Sequence, residues 1–169
     1  MVTEPVAPCP GCGLVVGPAD GPTHAYLGGS PGCWALFNEL MTIGPGGGVP
    51  GQLAGDTYAV QHPGRRERRA IQSVCLHLIS LCAALERNWP ADRAPALLRS
   101  AVGHPTWWHP FELTPPLGTI TVADVLAHKD PQQDRHSRGA MTREWADDLW
   151  SLYRSYHVEI REWLDGVVG

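Results

Sequence analysis

The segment 9–34 constrains this chain most, because it holds three of the five cysteines, one histidine and many Gly and Pro residues. It reads CPGCGLVVGPADGPTHAYLGGSPGCW. Two residues separate Cys9 from Cys12, and this spacing lets one tight turn direct both thiolates at a single cation. Gly11 and Gly13 give the backbone the freedom that such a turn needs. The segment therefore predicts a metal-binding knuckle.

Two further ligands of the knuckle are expected in the same segment. The nearest candidates are His24 and Cys33, which extend the pattern to Cys-x2-Cys-x11-His-x8-Cys. Mixed thiolate and imidazole sets of this kind suit tetrahedral zinc. Ser30 and Pro31 indicate a helix start, so Cys33 falls in the first turn, where the helix dipole favours a thiolate. We therefore predict a structural zinc site with the ligands Cys9, Cys12, His24 and Cys33.

Other interpretations of the same residues stay open. A Cys-x2-Cys pair is also typical of redox proteins, and Cys33 at a helix start would equally suit a reactive thiol. Redox pairs usually open a helix after a strand, whereas here Gly13 and a Gly/Pro-rich loop follow the pair. The cysteines could also be free and without a role. His24 could instead face a pocket as an acid/base or second-metal group, with its zinc place taken by His62 or an acidic residue.

The totals favour one globular domain, 1–169, because a chain of 169 residues is long enough to bury a core. Hydrophobic residues make up 43% of the chain and charged residues 18%, which excludes a disordered protein, while 19 Gly and 16 Pro predict many loops. Within the domain we expect a flexible tail at 1–8, the metal knuckle at 9–34 and a helical bundle at 35–169.

The bundle is predicted from apolar residues that recur at three- and four-residue spacing. Strand signals are few. A short helix is expected after Thr121, because Asp124 stands at capping-box spacing from it. The other predicted helices span residues 31–42, 52–62, 66–88, 95–102 and 142–165.

The segments between these helices have distinctive compositions. A Gly-rich stretch at 44–48 predicts a flexible link, and the polar stretch 128–139 predicts a mobile segment. The Pro/Trp-rich stretch 104–116 excludes a regular helix and predicts an ordered aromatic loop packed across the bundle. The predicted fold class is therefore mainly α, a helical bundle with an N-terminal zinc knuckle and a Pro/Trp-rich loop.

Charge and targeting signals bear on partners and location. The net charge of −4 gives no electrostatic reason to bind nucleic acid, and the basic cluster at 65–69 reads as a solvated face. No secretory signal and no apolar run of membrane-spanning length is visible. We expect a cytoplasmic protein that binds neither nucleic acid nor membrane, and the sequence leaves its oligomeric state open.

A second constellation of polar residues is predicted inside the bundle. His62, His77 and His157 each lie on a different predicted helix, on or near its inward side, and bundles build metal and acid/base sites from facing helices. Asp56 and Tyr58 lie nearby and could orient the imidazoles. The candidate catalytic residues are thus His62, His77, His157, Tyr58 and Asp56. Around a second divalent metal they would form a hydrolase, lyase or transferase site for a small-molecule substrate.

The alternative is that each of these histidines is a core residue satisfied by a local hydrogen bond, or that His62 serves the knuckle. The chain would then be a non-catalytic, zinc-stabilised module for protein interaction or regulation. The metal content of the protein distinguishes the metal-dependent enzyme from the non-catalytic module.

Several motifs occur in one order along the chain, namely CPGC, GPTHAY, SPGCW, DTYAVQHPG, QSVCLHL, TVADV and REWL. Together they resemble a family of small bacterial proteins described as a domain of unknown function. The resemblance runs from Cys9 to about Leu164 and implies that the chain is a complete protein. It implies no catalytic role, because no activity is established for that family.

Overall fold

The computed structural model of the chain describes residues 7–17, 19–43, 50–104, 108–128 and 134–169, with the backbone alone at 134–137. Within these ranges the chain forms seven α-helices and no β-strand. They are α1 (Pro31–Ile43), α2 (Gly51–Gln61), α3 (Arg68–Leu85), α4 (Ala94–Val102), α5 (Val122–Ala127), α6 (Asp134–Leu152) and α7 (His157–Val168). Single 3-10 turns at Ala91–Arg93 and Arg154–Tyr156 precede α4 and α7. The mainly helical fold class predicted from the sequence is confirmed.

Helix α2 lies at the centre of the bundle, where it packs against α3 and α6. Residues 56–62 are all buried, so α2 is covered on every side near its carboxyl end. This burial explains why α2 shows little separation of apolar and polar faces in its sequence. Helix α3 also packs against α4 and α7, and α1 packs against α5.

Gln61, the last residue of α2, ties three parts of the core together. Its amide Nε2 donates to the carbonyl oxygens of Leu117 and Ile120, each at 2.8 Å. Its Oε1 accepts from the indole Nε1 of Trp145 at 3.0 Å. Because the Gln61 side chain is fully buried, these bonds replace those that water would make. The loop before α5 is thereby held against α2 and α6.

The last helix differs from its prediction. The apolar stripe at 142–165 predicts one continuous helix, but the chain forms α6 and α7 with a 3-10 turn between them. At the break, the amides of Tyr153 and Tyr156 donate to the carbonyls three residues earlier. The ring of His157 donates a second hydrogen bond to the carbonyl of Trp150, which also accepts from the amide of Tyr153. No Gly or Pro marks this break, so the sequence carries no local signal for it.

The Pro/Trp-rich loop packs as predicted where the structure describes it. Trp108 lies edge-on to Trp163 with ring centroids 6.0 Å apart, and Phe111 lies edge-on to Tyr156 at 4.8 Å. Thr121 and Asp124 form the expected capping box at the start of α5. Residues 134–139 of the polar segment predicted to be mobile belong to α6.

Some sequence predictions lie outside the described residues. These are the flexible link at 44–48, most of the tail at 1–8 and the part of the polar segment at 129–133. Of the helices that are described, none combines the length and the apolar character needed to cross a bilayer.

Candidate metal centre

The knuckle begins with a tight turn at residues 9–13. The amide of Gly13 donates to the carbonyl of Cys9 at 2.8 Å, and the amide of Cys9 donates to the carbonyl of Leu14 at 2.9 Å. Gly13 adopts a φ of 75°, a left-handed conformation that side chains other than glycine rarely take. This turn places the sulfurs of Cys9 and Cys12 on the same side of the chain.

The turn sits directly against the carboxyl end of α2. A Cβ atom on Gly11 would lie 2.6 Å from the carbonyl oxygen of Gln61 and 2.6 Å from Cδ2 of His62. Glycine is therefore required at position 11 by close packing. The carbonyl of Gly11 accepts from the amide of Leu117 at 2.8 Å, which fixes the knuckle to the loop before α5.

Cys33 reaches the knuckle from the first turn of α1. The hydroxyl of Ser30 accepts a hydrogen bond from the amide of Cys33 at 3.3 Å, as the predicted N-cap requires. The sulfur of Cys33 lies 3.8 Å from the sulfur of Cys12 and has no exposed surface. The helix start predicted from Ser30 and Pro31 thus positions the third thiol.

His62 supplies an imidazole from the residue that follows α2. Its Nδ1 donates to the carbonyl of Tyr58 at 2.8 Å, so Nε2 is the nitrogen free to act as a ligand. Nε2 lies 3.4 Å from the sulfur of Cys33. The His62 ring stacks on the Tyr58 ring with centroids 4.0 Å apart, which fixes its orientation.

These four side chains converge on one point. The ligand atoms of Cys9, Cys12, Cys33 and His62 all lie within 4.8 Å of one another, and no other group of three or more His, Cys, Asp or Glu side chains converges in this way in the described part of the chain. We call this group the Cys3His cluster. Exposures of 2%, 6%, 0% and 0% show that the cluster is closed to solvent.

The spacing of the cluster is that of a tetrahedral metal site. A zinc ion with bonds of about 2.3 Å to sulfur places two sulfurs roughly 3.8 Å apart, whereas a disulfide would bring them to about 2.0 Å. The observed separation of the Cys12 and Cys33 sulfurs is 3.8 Å. All five cysteines are free thiols. The cluster can therefore hold a metal ion with little rearrangement of its side chains.

The shifted pKa values of the cluster also favour the binding of a metal ion. Hydrogen bonds from Cys12 and Cys33 hold the pKa of Cys9 far below its usual range. The hydrogen bonds of Cys33 with Cys12 and Cys9 raise the pKa of Cys33. Burial lowers the pKa of His62, but hydrogen bonds with the sulfurs of Cys12 and Cys9 outweigh it and raise the pKa to about 9. Protons thus balance the crowded sulfurs when no cation is bound, and a metal ion would displace them.

Two donors outside the cluster complete its surroundings. The amide of Ser30 donates to the sulfur of Cys9 at 3.4 Å, and the hydroxyl of Tyr58 donates to the sulfur of Cys33 at 3.7 Å. Burial first, and the nearby thiolates second, raise the pKa of Tyr58, so its hydroxyl keeps its proton. Such donors stabilise thiolate charge and orient the sulfurs.

The fourth member of the cluster is His62, and His24, which the spacing predicts, lies outside it. The His24 ring is exposed and packs beside Tyr26 and Trp34 at centroid distances of 5.6 and 5.4 Å. Its Nδ1 accepts from the amide of Tyr26. The physical reason is a contact distant in sequence, since the amide of Gly28 donates to the carbonyl of His62 at 2.9 Å and brings the end of α2 to the knuckle.

The three histidines expected to share a bundle site occupy three different surroundings. His62 belongs to the Cys3His cluster. His77 pairs with the buried carboxylate of Asp56 at 2.7 Å. His157 stacks on Trp150 at a centroid distance of 4.0 Å, and its Nε2 donates to the carbonyl of that residue at 2.9 Å. The apolar stripes place His77 on α3 and His157 on α7, whereas His62 follows the end of α2, and the three rings do not meet.

The other two predicted catalytic residues, Tyr58 and Asp56, also lie in separate surroundings. Tyr58 contacts the Cys3His cluster, as described above. Asp56 lies elsewhere on α2 and accepts hydrogen bonds from Gln52 at 2.9 Å, Ser80 at 2.6 Å and His77 at 2.7 Å. Asp56 and His77 are thus the one pair of the predicted catalytic set that interacts apart from the cluster.

Comparison with known proteins supplies a family and no activity. The model of a protein family described only as one of unknown function matches residues 7–154, a range that includes the whole Cys3His cluster. No curated protein and no solved structure matches the chain. The match confirms the family resemblance seen in the sequence motifs.

Proposed function

The chain belongs to that family, DUF5946, and we propose that it is a zinc-binding protein in which the metal has a structural role. One observation carries the proposal: three cysteine sulfurs and one imidazole nitrogen converge within 4.8 Å in the interior of the chain. Burying that many ionisable groups together is unfavourable unless a cation pairs with them.

Zinc is the metal that the donor set favours. Three thiolates and one imidazole form one of the tetrahedral ligand sets of structural zinc sites. Magnesium and calcium prefer oxygen donors, and the cluster offers none. The sulfur separation also fits zinc bond lengths, as shown above.

A structural role follows from the number of protein ligands. Catalytic zinc sites keep one position open for water or substrate, whereas four protein ligands fill a tetrahedron. The Cys3His cluster joins the knuckle turn at 9–13, the start of α1 and the end of α2. A metal ion there would cross-link three segments that are distant in sequence and so contribute directly to folding.

The alternative of a metal-dependent enzyme at His62, His77 and His157 loses its basis, because those rings have separate partners. We therefore do not propose a second metal among them. The non-catalytic alternative, a zinc-stabilised module, is compatible with the closed site.

The test is the metal content of protein purified without a metal-affinity tag. We expect about one equivalent of zinc per chain, its loss in Cys12→Ser and in Cys33→Ser, and its retention in Cys82→Ser. Cys82 is a matched control because it is a buried free thiol on α3 that is not a member of the cluster.

Removal of the metal supplies the second arm of this test. A strong chelator should lower the melting temperature of the wild type, and added zinc should restore it. Metal-free wild-type protein with an unchanged melting temperature would overturn the proposal, as would full zinc content in both cluster variants.

A further inference from the structure

The Asp56–His77 pair has the geometry of an oriented base. Asp56 is 1% exposed, and its carboxylate accepts from Nδ1 of His77, from Ser80 and from Gln52. Because Nδ1 carries the proton that faces Asp56, Nε2 of the neutral ring carries a lone pair. The His77 side chain is 28% exposed, and Nε2 makes no hydrogen bond to any part of the chain that the structure describes.

His77 lines a surface cleft with a volume of about 330 Å³. One wall is a face of α3, where Arg69, Gln72, Ser73 and His77 are polar and Leu76 is apolar. Tyr26 closes the cleft from the side of the knuckle, and Leu98 of α4 closes it from the other. The cleft is therefore bounded by three elements that the bundle holds in place.

Arg69 gives the cleft a positive charge. Its Nη1 donates to the hydroxyl of Tyr26 at 3.4 Å, and it has no carboxylate partner among the described residues. The neighbouring Arg66 differs, since it is paired with Glu112 at 2.8 Å. Guanidinium groups without a carboxylate partner bind carboxylates and phosphates through two parallel hydrogen bonds.

We propose that this cleft binds a small molecule that carries both an anionic group and a hydroxyl. Arg69 receives the phosphate or carboxylate, and Nε2 of His77 accepts the hydrogen bond of the hydroxyl. Asp56 is a positioning residue that holds His77 in the tautomer with the lone pair toward the ligand. The site is independent of the proposed zinc centre, because none of these residues belongs to the Cys3His cluster.

A second cavity in the bundle shows why the arrangement at His77 is distinctive. That cavity has a volume of about 210 Å³, and its lining includes His109, Arg65 and Arg66 beside mostly apolar side chains. Both nitrogens of His109 are already bonded, Nδ1 to the carbonyl of Pro110 at 3.1 Å and Nε2 to Glu159 at 2.9 Å. His109 therefore has no ring nitrogen to offer a ligand, whereas His77 does.

The proposal is tested by NMR on the zinc-loaded full chain with nitrogen-labelled histidine. The probes are glycerol 3-phosphate and gluconate, which carry an anionic group and hydroxyls several bonds away from it, and each is titrated while the ring signals of His77 are followed. We expect a saturable shift with at least one of them. Propyl phosphate and hexanoate, which lack the hydroxyls, and glycerol, which lacks the charge, should bind at least about tenfold more weakly.

Variants then separate the two contacts. Arg69→Met should weaken binding at least about tenfold, while the matched control Arg66→Met should leave it unchanged. Asp56→Asn should move the ring proton of His77 from Nδ1 to Nε2, which nitrogen shifts report directly, and should remove the preference for the hydroxyl. Arg69 is exposed, so its replacement tests the site without a risk to folding.

Three results would overturn the proposal. They are the absence of a saturable shift with both hydroxylated anions up to millimolar concentrations, equal weakening by the two arginine variants, and an unchanged His77 tautomer in Asp56→Asn. Zinc content measured in each variant reports on the metal centre separately, so failure of one proposal is distinguishable from failure of the other.

Discussion

Gly11 and His62 are in such close contact that no side chain fits between them. A Cβ on Gly11 would lie 2.6 Å from Cδ2 of the His62 ring. The turn that carries two cysteines is therefore pressed directly on the residue that supplies the imidazole. The Cys3His cluster forms only when the knuckle turn packs directly against the end of α2.

Gly11→Ala should consequently destabilise the protein by about 2 kcal/mol, because either the turn or the His62 ring must move. Chemical denaturation measures this change, and zinc affinity should fall with it. Gly17→Ala is the matched control, since a Cβ on Gly17 would meet nothing within 4 Å. Equal stability of the two variants would show that the knuckle does not pack on α2 as described.

His62→Ala and His24→Ala should have opposite outcomes for metal binding. Loss of an outer-shell partner alone reduces metal affinity ten- to a hundredfold, so loss of His62 as a ligand should reduce zinc affinity more than about a hundredfold. His24 is exposed and stands outside the cluster, so its replacement should leave zinc affinity unchanged. Competition with a coloured chelator measures both, and the reverse ranking would restore His24 as the ligand.

The sequence predicts local parts of this site well and its long-range parts poorly. The spacing of Cys9 and Cys12 and the helix start at Ser30 are local features, and both appear in the structure. His62 joins the cluster through the Gly28 backbone bond and the close approach of Gly11, which no periodicity encodes. Sequence spacing therefore offered His24 first and retained His62 as an alternative.

The histidines predicted to share a bundle site also show that sequence spacing does not predict long-range contacts. Apolar spacing shows which face of a helix a ring occupies, but it does not show how that helix is rotated against its neighbours. A 3-10 turn between α6 and α7 also interrupts the predicted helix just before His157. The three rings therefore reach three separate places: His62 is buried in the Cys3His cluster, His77 borders a surface cleft and His157 stacks on Trp150.

Gln61→Met should cost about 3 kcal/mol of stability. The substitution keeps the volume of the side chain but leaves the carbonyls of Leu117 and Ile120 and the indole of Trp145 without their partner, and each lost bond costs about 1 kcal/mol. Thermal unfolding with zinc in excess measures the effect. Gln72→Met is the control, since Gln72 lies at the surface cleft and is only half-buried. A loss no larger than that of the control would contradict the role of Gln61 in the core.

Glu86→Gln should remove a part of the stability that depends on pH. Glu86 directly follows α3 and accepts two hydrogen bonds from Arg161 of α7, at 2.6 and 2.8 Å. These bonds hold the pKa of Glu86 below its usual value of about 4.3. A lowered folded pKa contributes stability that is complete above the unfolded value and is lost as the pH falls through the folded value. The wild type should therefore be more stable than Glu86→Gln at neutral pH, and the difference should narrow below about pH 4.

Denaturation of both proteins across this pH range measures the difference in stability. The pH dependence of the metal centre cancels in that difference because both proteins share it. Glu144→Gln, at an exposed position of α6, should differ from the wild type by the same small amount throughout. A difference between Glu86→Gln and the wild type that stays constant down to the most acidic folded state would show that Glu86 and Arg161 do not interact in solution.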